Sequence, residues 1–324
     1  MTKPIQETIK INDLDMPLMN GNEDYVPELD ENYYFDKHAE HVCHDINSRA
    51  HVMLVGHTGC GKTSVVDQIA ARMHQPIMRV NMNGQTTIGD FVGLWTVKGG
   101  ETVWIDGALP MAMRNGYWLL IDEIDFAEAP ILSVLNPLLE KGGKLLLKEK
   151  GHEVVKPHPN FRVFATANTV GCMQRFRSLY QGTNLMNEAW LDRWHVYHVD
   201  YLKPKQEIDI ITKKFPAIDK PMATQIVKVA TMAREAFRIG DIQASFSTRR
   251  LLDWTEMMMR YGDPVTAASM TIYAKVSDED RDVLEGLITR NLLTPQTPAQ
   301  TVGSTARAAQ TAGATRPASK TPIR

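Results

Sequence analysis

The residues with the clearest chemistry in the chain form one run with the spacing Gly-x-x-x-x-Gly-Lys-Thr. The run consists of Gly56, His57, Thr58, Gly59, Cys60, Gly61, Lys62 and Thr63. Its glycines let the backbone turn tightly enough for several N–H groups to point at phosphate oxygens. Lys62 supplies a cation for the β- and γ-phosphates, and the Thr63 hydroxyl is a ligand for Mg²⁺. The run therefore predicts a site for ATP and Mg²⁺, and we include the next residue, Ser64, among the nucleotide contacts.

The flanks of this loop have the pattern that a phosphate site needs. Residues 51–55 form a short apolar run that predicts a strand, and residues 64–73 have a helical pattern. A helix that starts behind the loop adds the positive end of its dipole to the phosphate site. The alternative, a glycine-rich turn that binds no nucleotide, is disfavoured because strand, loop and helix occur together.

Two acids follow the apolar run 118–121, which predicts another strand. At the carboxyl end of a parallel strand, acids face the place where a nucleotide and its metal bind. We expect Asp122 to hold Mg²⁺, directly or through water, and Glu123 to orient and activate the attacking water. A strand that ends in solvated acids is the alternative, and the position downstream of the phosphate loop argues against it. Asp125, close by, is expected to be a surface or helix-capping residue.

Predicted strands and helices alternate through the first 200 residues. Besides the strands named above, strands are predicted at 77–80, 161–166 and 196–199, and a helix at 36–49. This alternation is typical of a parallel sheet with helices on both faces, so we expect an α/β fold. Beyond Tyr201 only helical patterns occur, which predict a small all-helical domain. These helices are predicted at 205–215, 223–237, 248–260 and 278–291.

These patterns suggest a division of the chain into four parts. They are an N-terminal extended arm (1–30), an α/β nucleotide-binding domain (31–202), a helical lid domain (203–292) and a tail (293–324). The arm is polar and contains three prolines. The tail is rich in Thr, Ala and Pro and has basic but no acidic residues, so it lacks the apolar surface that would offset its ordering entropy. We expect it to be disordered, and a basic tether is the alternative.

Composition limits the classes of function. The 324 residues carry 36 Lys and Arg against 38 Asp and Glu, a net charge of −2, and this balance disfavours a dedicated nucleic-acid binder without excluding a local basic pore. The start has no apolar run of signal-peptide length, and no stretch is long enough to span a bilayer. The three cysteines have no framework spacing, which is typical of a reducing compartment, so we expect a cytoplasmic protein without membrane contact.

Several longer stretches resemble one family. The most specific is 157–171, with the sequence Pro-His-Pro-Asn-Phe-Arg-Val-Phe-Ala-Thr-Ala-Asn-Thr-Val-Gly, and it is followed by 179–183 and 192–194. Together with the phosphate loop and the two acids, these stretches resemble the MoxR-type branch of the AAA+ ATPases. Within that branch they resemble the CobS-type subunits of cobaltochelatase, which phages also encode. The chain departs from this pattern at Thr248, where proline is usual, without losing a nucleotide ligand.

The same family carries two hairpin insertions, and both have candidates here. They lie near 89–107 and 144–158. In such rings the hairpins face the pore or a partner and turn the nucleotide state into mechanical work. Trp95 and Trp104 flank the turn of the first hairpin, and both ordinary cross-strand packing and a partner-gripping role are open for them.

The resemblance implies roles for further polar residues. Asn168 would lie between the two acids and the γ-phosphate and help to place the attacking water, with an asparagine in an ordinary turn as the alternative. Arg193 would be an arginine finger for the γ-phosphate bound by a neighbouring subunit, with a surface Arg–Asp pair as the alternative. Arg249, or Arg250 in its place, would reach the nucleotide from the helical lid. A finger that acts in trans implies a homo-oligomeric ring, and six subunits are usual in this family.

The function that the resemblance implies is an ATP-hydrolysing ring motor that remodels a partner protein. In cobaltochelatase that partner is a CobT-like protein with a von Willebrand factor A domain, and a large subunit inserts Co²⁺ into a corrin ring. One alternative is a MoxR-type chaperone for a different client. Another is a nucleic-acid motor, for which 175–177 and the tail give the basic residues. A passive nucleotide binder is disfavoured because Glu123 and Asn168 are both in place.

Two other groups of residues invite different chemistry. The first consists of His38, His41, Cys43 and His44. Their spacing matches no standard zinc pattern, and a helix would spread them over more than one face, so metal binding is disfavoured. The second is Cys60, which lies near a helix N-terminus and is therefore expected to have more thiolate character than an ordinary cysteine.

Overall fold

The structure, a computed structural model, describes residues 7–83, 85–169, 184 and 186–293. These residues contain eleven strands and eleven α-helices. The strands are β1 (Thr8–Ile11), β2 (Leu14–Pro17), β3 (Val52–Val55), β4 (Ile77–Asn81), β5 (Gly93–Lys98), β6 (Glu101–Asp106), β7 (Trp118–Asp122), β8 (Leu145–Leu147), β9 (Glu153–Val155), β10 (Arg162–Ala167) and β11 (His195–His198). The helices are α1 (Lys37–Ser48), α2 (Lys62–Met73), α3 (Ile88–Val92), α4 (Ala108–Asn115), α5 (Ala129–Leu139), α6 (Glu188–Leu191), α7 (Pro204–Lys214), α8 (Lys220–Ile239), α9 (Thr248–Tyr261), α10 (Pro264–Thr271) and α11 (Asp278–Ile288).

A five-stranded parallel sheet forms the centre of the first two thirds of the chain. Its strand order is β11-β3-β10-β7-β4. Val55, at the end of β3, is opposite Ala167 of β10 and His198 of β11. The loop after β3 therefore leaves the sheet between the carboxyl ends of two neighbouring strands, which is where ligands bind in open parallel sheets. The predicted α/β fold class is confirmed.

The three central strands of the sheet, β3, β7 and β10, are buried on both faces because they are apolar at successive positions. In β7, Leu119 and Ile121 join one apolar cluster, whereas Trp118 and Leu120 join another on the opposite face. Helices α4 and α5 belong to the first cluster and α1 and α2 to the second. A strand that is held on both faces has little freedom, so the residues at its carboxyl end are held in fixed positions.

The helices from α7 onward have an apolar cluster of their own. Its largest member, Trp254, is fully buried. A buried ion pair ties three of these helices together, because Arg234 of α8 donates to both carboxylate oxygens of Glu207 in α7, each at 2.7 Å. Thr248, the first residue of α9, donates to the same carboxylate at 2.7 Å. Removing either charge would leave its partner buried and unpaired, which is strongly destabilising. The start of α9 is therefore fixed relative to α7 and α8.

Residues 8–17, which the sequence analysis places in an extended arm, form instead an antiparallel hairpin of β1 and β2. Ile11 and Met16 are buried in the cluster that contains α1 and α2. Asn12 makes the turn with a φ of 51°, a left-handed conformation that asparagine adopts more readily than most residues. Alternating apolar residues around an Asn-Asp turn are the sequence signal for this hairpin.

Two further hairpins lie outside the five-stranded sheet. In the β5–β6 hairpin Trp95 and Trp104 are cross-strand partners with ring centroids 5.6 Å apart, and Trp95 remains half exposed. The Trp95 indole N–H donates to the carbonyl oxygen of Glu149, at 2.9 Å, in the turn between β8 and β9. Arg114 of α4 forms ion pairs with both Asp106 and Glu153, one on each hairpin. The two hairpins are thus joined to each other and to α4.

Some expectations fall on residues that the structure does not describe. These are the stretches 175–177 and 179–183 and, apart from Leu293, the tail. Within the described residues, no helix has the length and apolar character to cross a membrane.

The packing of the N-terminal hairpin can be tested by mutation. Met16→Ala removes a fully buried side chain and should destabilise the protein by about 2–5 kcal/mol, whereas Asp15→Ala, on the solvent side of the same strand, should have little effect. Urea unfolding followed by circular dichroism measures both. Equal midpoints for the two variants would mean that the hairpin is not part of the core.

Candidate active site

The phosphate loop takes its shape from glycines and from the start of α2. Gly59 and Gly61 have φ values of 73° and 97°, in the left-handed region that other residues rarely adopt. Lys62, the first residue of α2, is almost completely buried. Its ammonium donates to the carbonyl oxygens of Gly56 and His57, at 2.8 and 3.1 Å, and to Asn168 Oδ1, at 3.1 Å. Burial lowers the pKa of Lys62, and the neighbouring acids partly oppose that shift.

Asp122 connects helix α2, its own strand β7 and the neighbouring strand β10. The hydroxyls of Thr63 and Thr166 both donate to Asp122 Oδ1, each at 2.8 Å. The other oxygen, Oδ2, accepts a hydrogen bond from Arg79 Nε. Asp122 is almost completely buried, so these partners replace the water that a carboxylate otherwise needs. The structure thus brings together Thr63 and Asp122, the two predicted metal ligands.

Glu123 has an unusual backbone conformation. Its φ of 55° and ψ of 43° are left-handed, which costs about 1–2 kcal/mol for a residue with a side chain. Its N–H donates to Thr166 Oγ1 at 3.1 Å, so the hydroxyl that orients Asp122 also holds Glu123. Strain of this kind is concentrated at functional sites, where the surrounding structure enforces it.

Asn168 directly follows β10 and faces the phosphate loop. Besides the bond from Lys62, its Oδ1 accepts a weaker hydrogen bond from the Thr58 hydroxyl at 3.4 Å. Predicted residues from the loop, from the end of β7 and from the end of β10 therefore meet at the carboxyl edge of the sheet.

Asp125 is not the surface or capping residue that the sequence analysis expects. It is fully buried, and its Oδ2 accepts the backbone N–H groups of Asn168 and Thr169 at 3.0 and 3.1 Å. Burial raises the pKa of its carboxyl group, and these hydrogen bonds and the charge of Lys62 act against the shift. Asp125 thus fixes the backbone that carries Asn168. Nothing in the local sequence distinguishes it from a solvated acid, because its partners lie more than 40 residues away.

The helical part of the chain contacts the loop at Gly59. A Cβ placed on Gly59 would lie 2.5 Å from Cβ of Ser247, the residue that caps α9. Arg249, in the first turn of α9, lines a cavity of about 360 Å³ together with Gly59, Gly61 and Ser64. Arg250 is instead held by the carbonyl oxygen of Ser245 at 2.9 Å. Of the two arginines between which the sequence left a choice, Arg249 is the one that lines the cavity beside the loop.

Aromatic side chains contact the first half of the phosphate loop. The His57 ring lies nearly parallel to that of Tyr201, with centroids 6.2 Å apart, and meets Phe237 edge-on at 5.5 Å. The Tyr201 hydroxyl donates to the carbonyl oxygen of Thr58 at 3.3 Å, and the Arg234 guanidinium lies 4.4 Å from the centre of the Tyr201 ring. The loop is thereby linked to the buried ion pair of the helical region.

Arg193 lies apart from the other predicted site residues. Its guanidinium forms an ion pair with Glu140 at 2.6 Å and donates to the carbonyl oxygen of Ala189. Both partners lie at the surface of the sheet region, outside the phosphate loop. The pair resembles the surface alternative of the sequence analysis, although the acid is Glu140 rather than an aspartate.

The expected thiolate character of Cys60 is wrong. The side chain is 7% exposed, and burial raises the pKa of the thiol, which outweighs the opposing effect of Lys62. Within the described residues, no group of three or more His, Cys, Asp and Glu side chains is arranged to hold a metal ion.

The role of Asp125 predicts a difference between two substitutions. Asp125→Ala leaves two backbone N–H groups without an acceptor and should destabilise the protein by about 1–3 kcal/mol more than Asp125→Asn, which keeps an oxygen in place. Denaturant midpoints of the two variants measure the difference. Equal midpoints would show that Asp125 does not hold the Asn168 backbone.

Two family models match different parts of the chain. Residues 51–185 match the AAA domain of the dynein-related subfamily, and residues 207–290 match the C-terminal domain of the CbbQ/NirQ/NorQ family. The first match contains the phosphate loop, Asp122, Glu123 and Asn168. The second contains Arg249.

Individual relatives extend over most of the chain. Aerobic cobaltochelatase subunit CobS of Sinorhizobium sp is 35% identical over 279 residues, which cover 83% of either chain. Protein NorQ of Paracoccus denitrificans is 28% identical over 81% of this chain and 90% of its own. Midasin of Dictyostelium discoideum is 29% identical over 76% of this chain, but the match covers 4% of midasin. The chain therefore belongs to the MoxR-type AAA+ ATPases, in the group that includes CobS, NorQ and CbbQ.

Proposed function

We propose that the protein is a Mg²⁺-dependent ATPase that works as a homo-oligomeric ring, hexameric by resemblance, and remodels a partner protein. The observation that carries this proposal is the meeting of Lys62, Thr63, Asp122 and Asn168 within hydrogen-bond distance at the carboxyl edge of the sheet. A cation, a hydroxyl, a carboxylate and an amide oxygen are the groups that bind a nucleoside triphosphate and its metal.

The donor set fits Mg²⁺. Thr63 Oγ1 and Asp122 Oδ1 are hard oxygen donors 2.8 Å apart, and Mg²⁺ in proteins is held by one or two such groups together with phosphate oxygens and water. When bound, the ion neutralises charge on the β- and γ-phosphates. Thr63 would contact it directly, and Asp122 directly or through water.

The remaining residues have separate tasks in this proposal. The backbone N–H groups from Gly59 to Ser64 and the Lys62 ammonium bind phosphate oxygens. The Glu123 carboxylate orients the attacking water and accepts its proton, and Asn168 places that water against the γ-phosphate. The strained backbone of Glu123, held by Thr166, supports a fixed role for this side chain. Arg249 reaches the nucleotide from α9.

Arg193 is proposed to act on a neighbouring subunit, by resemblance to the arginine finger of the family. Its ion pair with Glu140 holds it at the surface, partly exposed, outside the phosphate loop of its own chain. A guanidinium presented in this way can enter the site of an adjacent copy and stabilise charge on the transferred phosphoryl group.

The partner is proposed to be a protein that meets the two hairpins. Trp95 and Val97 on one hairpin and Leu146 and Val154 on the other are all exposed apolar residues. The similarity to CobS favours a CobT-like partner with a von Willebrand factor A domain and a role in cobalt insertion. The second candidate, a chaperone for a different client, follows from the resemblance to the wider MoxR-type branch. The free thiols of Cys43 and Cys60 support a cytoplasmic location.

Two substitutions separate binding from turnover. Lys62→Ala should abolish ATP binding because it removes the cation in the loop, whereas Glu123→Gln should leave binding intact and stop hydrolysis because the base is lost. Binding is measured with a fluorescent ATP analogue and turnover by phosphate release, with the exposed Lys213→Ala as the control. Unchanged affinity in Lys62→Ala would refute the site.

The Glu123→Gln protein, held with ATP, also serves to capture the client. Recovery of a protein with a von Willebrand factor A domain supports the CobS-type arrangement and leads to a cobalt-insertion assay. Recovery of DNA-processing proteins or of nuclease-sensitive nucleic acid would instead favour the nucleic-acid motor.

Action of Arg193 in trans predicts rescue in mixed rings. Arg193→Ala and Glu123→Gln should each be inactive alone. In a mixed ring, a chain with Arg193→Ala keeps its own Glu123 and can receive Arg193 from its neighbour, so ATP turnover should return. If phosphate release by the mixture stays at the sum of the two separate preparations, Arg193 does not act in trans.

A further inference from the structure

Arg79 is a charged residue at the edge of the site to which the sequence analysis gives no role. It lies in β4, the edge strand of the parallel sheet, next to β7. Arg79 is opposite Leu120, and Asn81 is opposite Asp122. Because side chains alternate between the faces of a sheet, Arg79 and Asp122 share one face, and the long arginine side chain reaches along it to the carboxylate.

The two oxygens of Asp122 have different partners. Oδ1 accepts the hydroxyls of Thr63 and Thr166, whereas Oδ2 accepts Arg79 Nε. Asp122 is 3% exposed, but the Arg79 side chain is 55% exposed, so the arginine approaches a buried acid from the solvent side. A charge-assisted bond to one oxygen fixes the rotation of the carboxylate, which leaves Oδ1 directed at Thr63.

A second acid lies close to this pair. Asp67 is one helical turn after Thr63 in α2, and burial raises the pKa of its carboxyl group to about 6. The charge of Arg79 lowers that pKa and the charge of Asp122 raises it, which shows that all three groups are electrostatically coupled. Arg79 thus binds Asp122 directly and also opposes the charge of Asp67.

We propose that Arg79 is a positioning residue of the metal site, which fixes the orientation of Asp122 and limits how tightly the divalent ion is held. The proposal rests on the proposed function, because it assumes that Asp122 and Thr63 hold Mg²⁺. Arg79 acts through Asp122 and does not touch the nucleotide. A motor must release its product and metal in each cycle, so a cation that weakens metal binding favours turnover.

The charges predict opposite effects for Arg79 and Asp67. Loss of the Arg79 charge leaves the acids uncompensated, so a divalent cation should bind more tightly, on the order of tenfold. Loss of the Asp67 charge should weaken metal binding in the same range. If the two residues had only structural roles, their substitution would change stability but would not move metal affinity in opposite directions.

The test uses the full-length chain with Mn²⁺ in place of Mg²⁺ and a non-hydrolysable ATP analogue. Free Mn²⁺ is measured by electron paramagnetic resonance for wild type, Arg79→Gln, Arg79→Lys and Asp67→Asn. We expect the Mn²⁺ dissociation constant to fall about tenfold in Arg79→Gln, to stay near wild type in Arg79→Lys and to rise in Asp67→Asn. The turnover number should fall in Arg79→Gln because a more tightly held metal leaves more slowly in each cycle.

Failure of this inference can be distinguished from failure of the proposed function. If wild type binds Mn²⁺ with the analogue and Arg79→Gln binds it equally or more weakly, the role of Arg79 is refuted and the ATPase proposal stands. A change in the same direction in Arg79→Gln and Asp67→Asn also refutes it. If wild type binds no Mn²⁺ with the analogue, both proposals fail. Thermal unfolding without nucleotide identifies a variant that does not fold, and Arg79→Lys then provides the comparison.

Discussion

The paired hydrogen bonds from Thr63 and Thr166 to one oxygen of Asp122 hold the candidate site together. They join the first turn of α2 to the ends of β7 and β10, which approach this point from different parts of the chain. The bonds form because Asp122 is buried and must find partners inside the protein. Thr166 also accepts the N–H of Glu123, so the same contact determines where the proposed base lies. The geometry of the site thus follows from burying one carboxylate at the edge of a parallel sheet.

The helical region depends on a second buried carboxylate, that of Glu207. Its bonds with Arg234 and Thr248 fix the start of α9, so that Ser247 contacts Gly59 and Arg249 lines the cavity beside the loop. Tyr201 connects the phosphate loop with this ion pair. Its hydroxyl donates to the loop, and its ring lies against the Arg234 guanidinium. Contacts therefore run from the phosphate loop to α7, α8 and α9.

Local spacing was sufficient to predict the fold class, the phosphate loop and Asp122, whereas the role expected of Asn168 came from the family resemblance. The phosphate loop and Asn168 directly follow apolar strands and Asp122 ends one, and parallel strands bring such residues to one edge. The helix predicted at 36–49 begins at Lys37, because the Asp36 side chain caps it by accepting from the backbone N–H groups of His38 and Ala39. Asp125 and Cys60 were misjudged because their burial comes from distant contacts. Arg79 gave no signal, since an arginine in an edge strand is ordinary until its partner is known.

The central claim is that ATP and Mg²⁺ bind at this edge of the sheet, between the phosphate loop and Asp122. The most direct measurement is an electron cryomicroscopy structure of the wild-type protein with Mg²⁺ and a non-hydrolysable ATP analogue. The account predicts the triphosphate on the backbone N–H groups of the loop, the metal beside the Thr63 hydroxyl, and Arg193 of an adjacent copy near the γ-phosphate. A triphosphate bound elsewhere, or a metal away from Thr63 and Asp122, would contradict it.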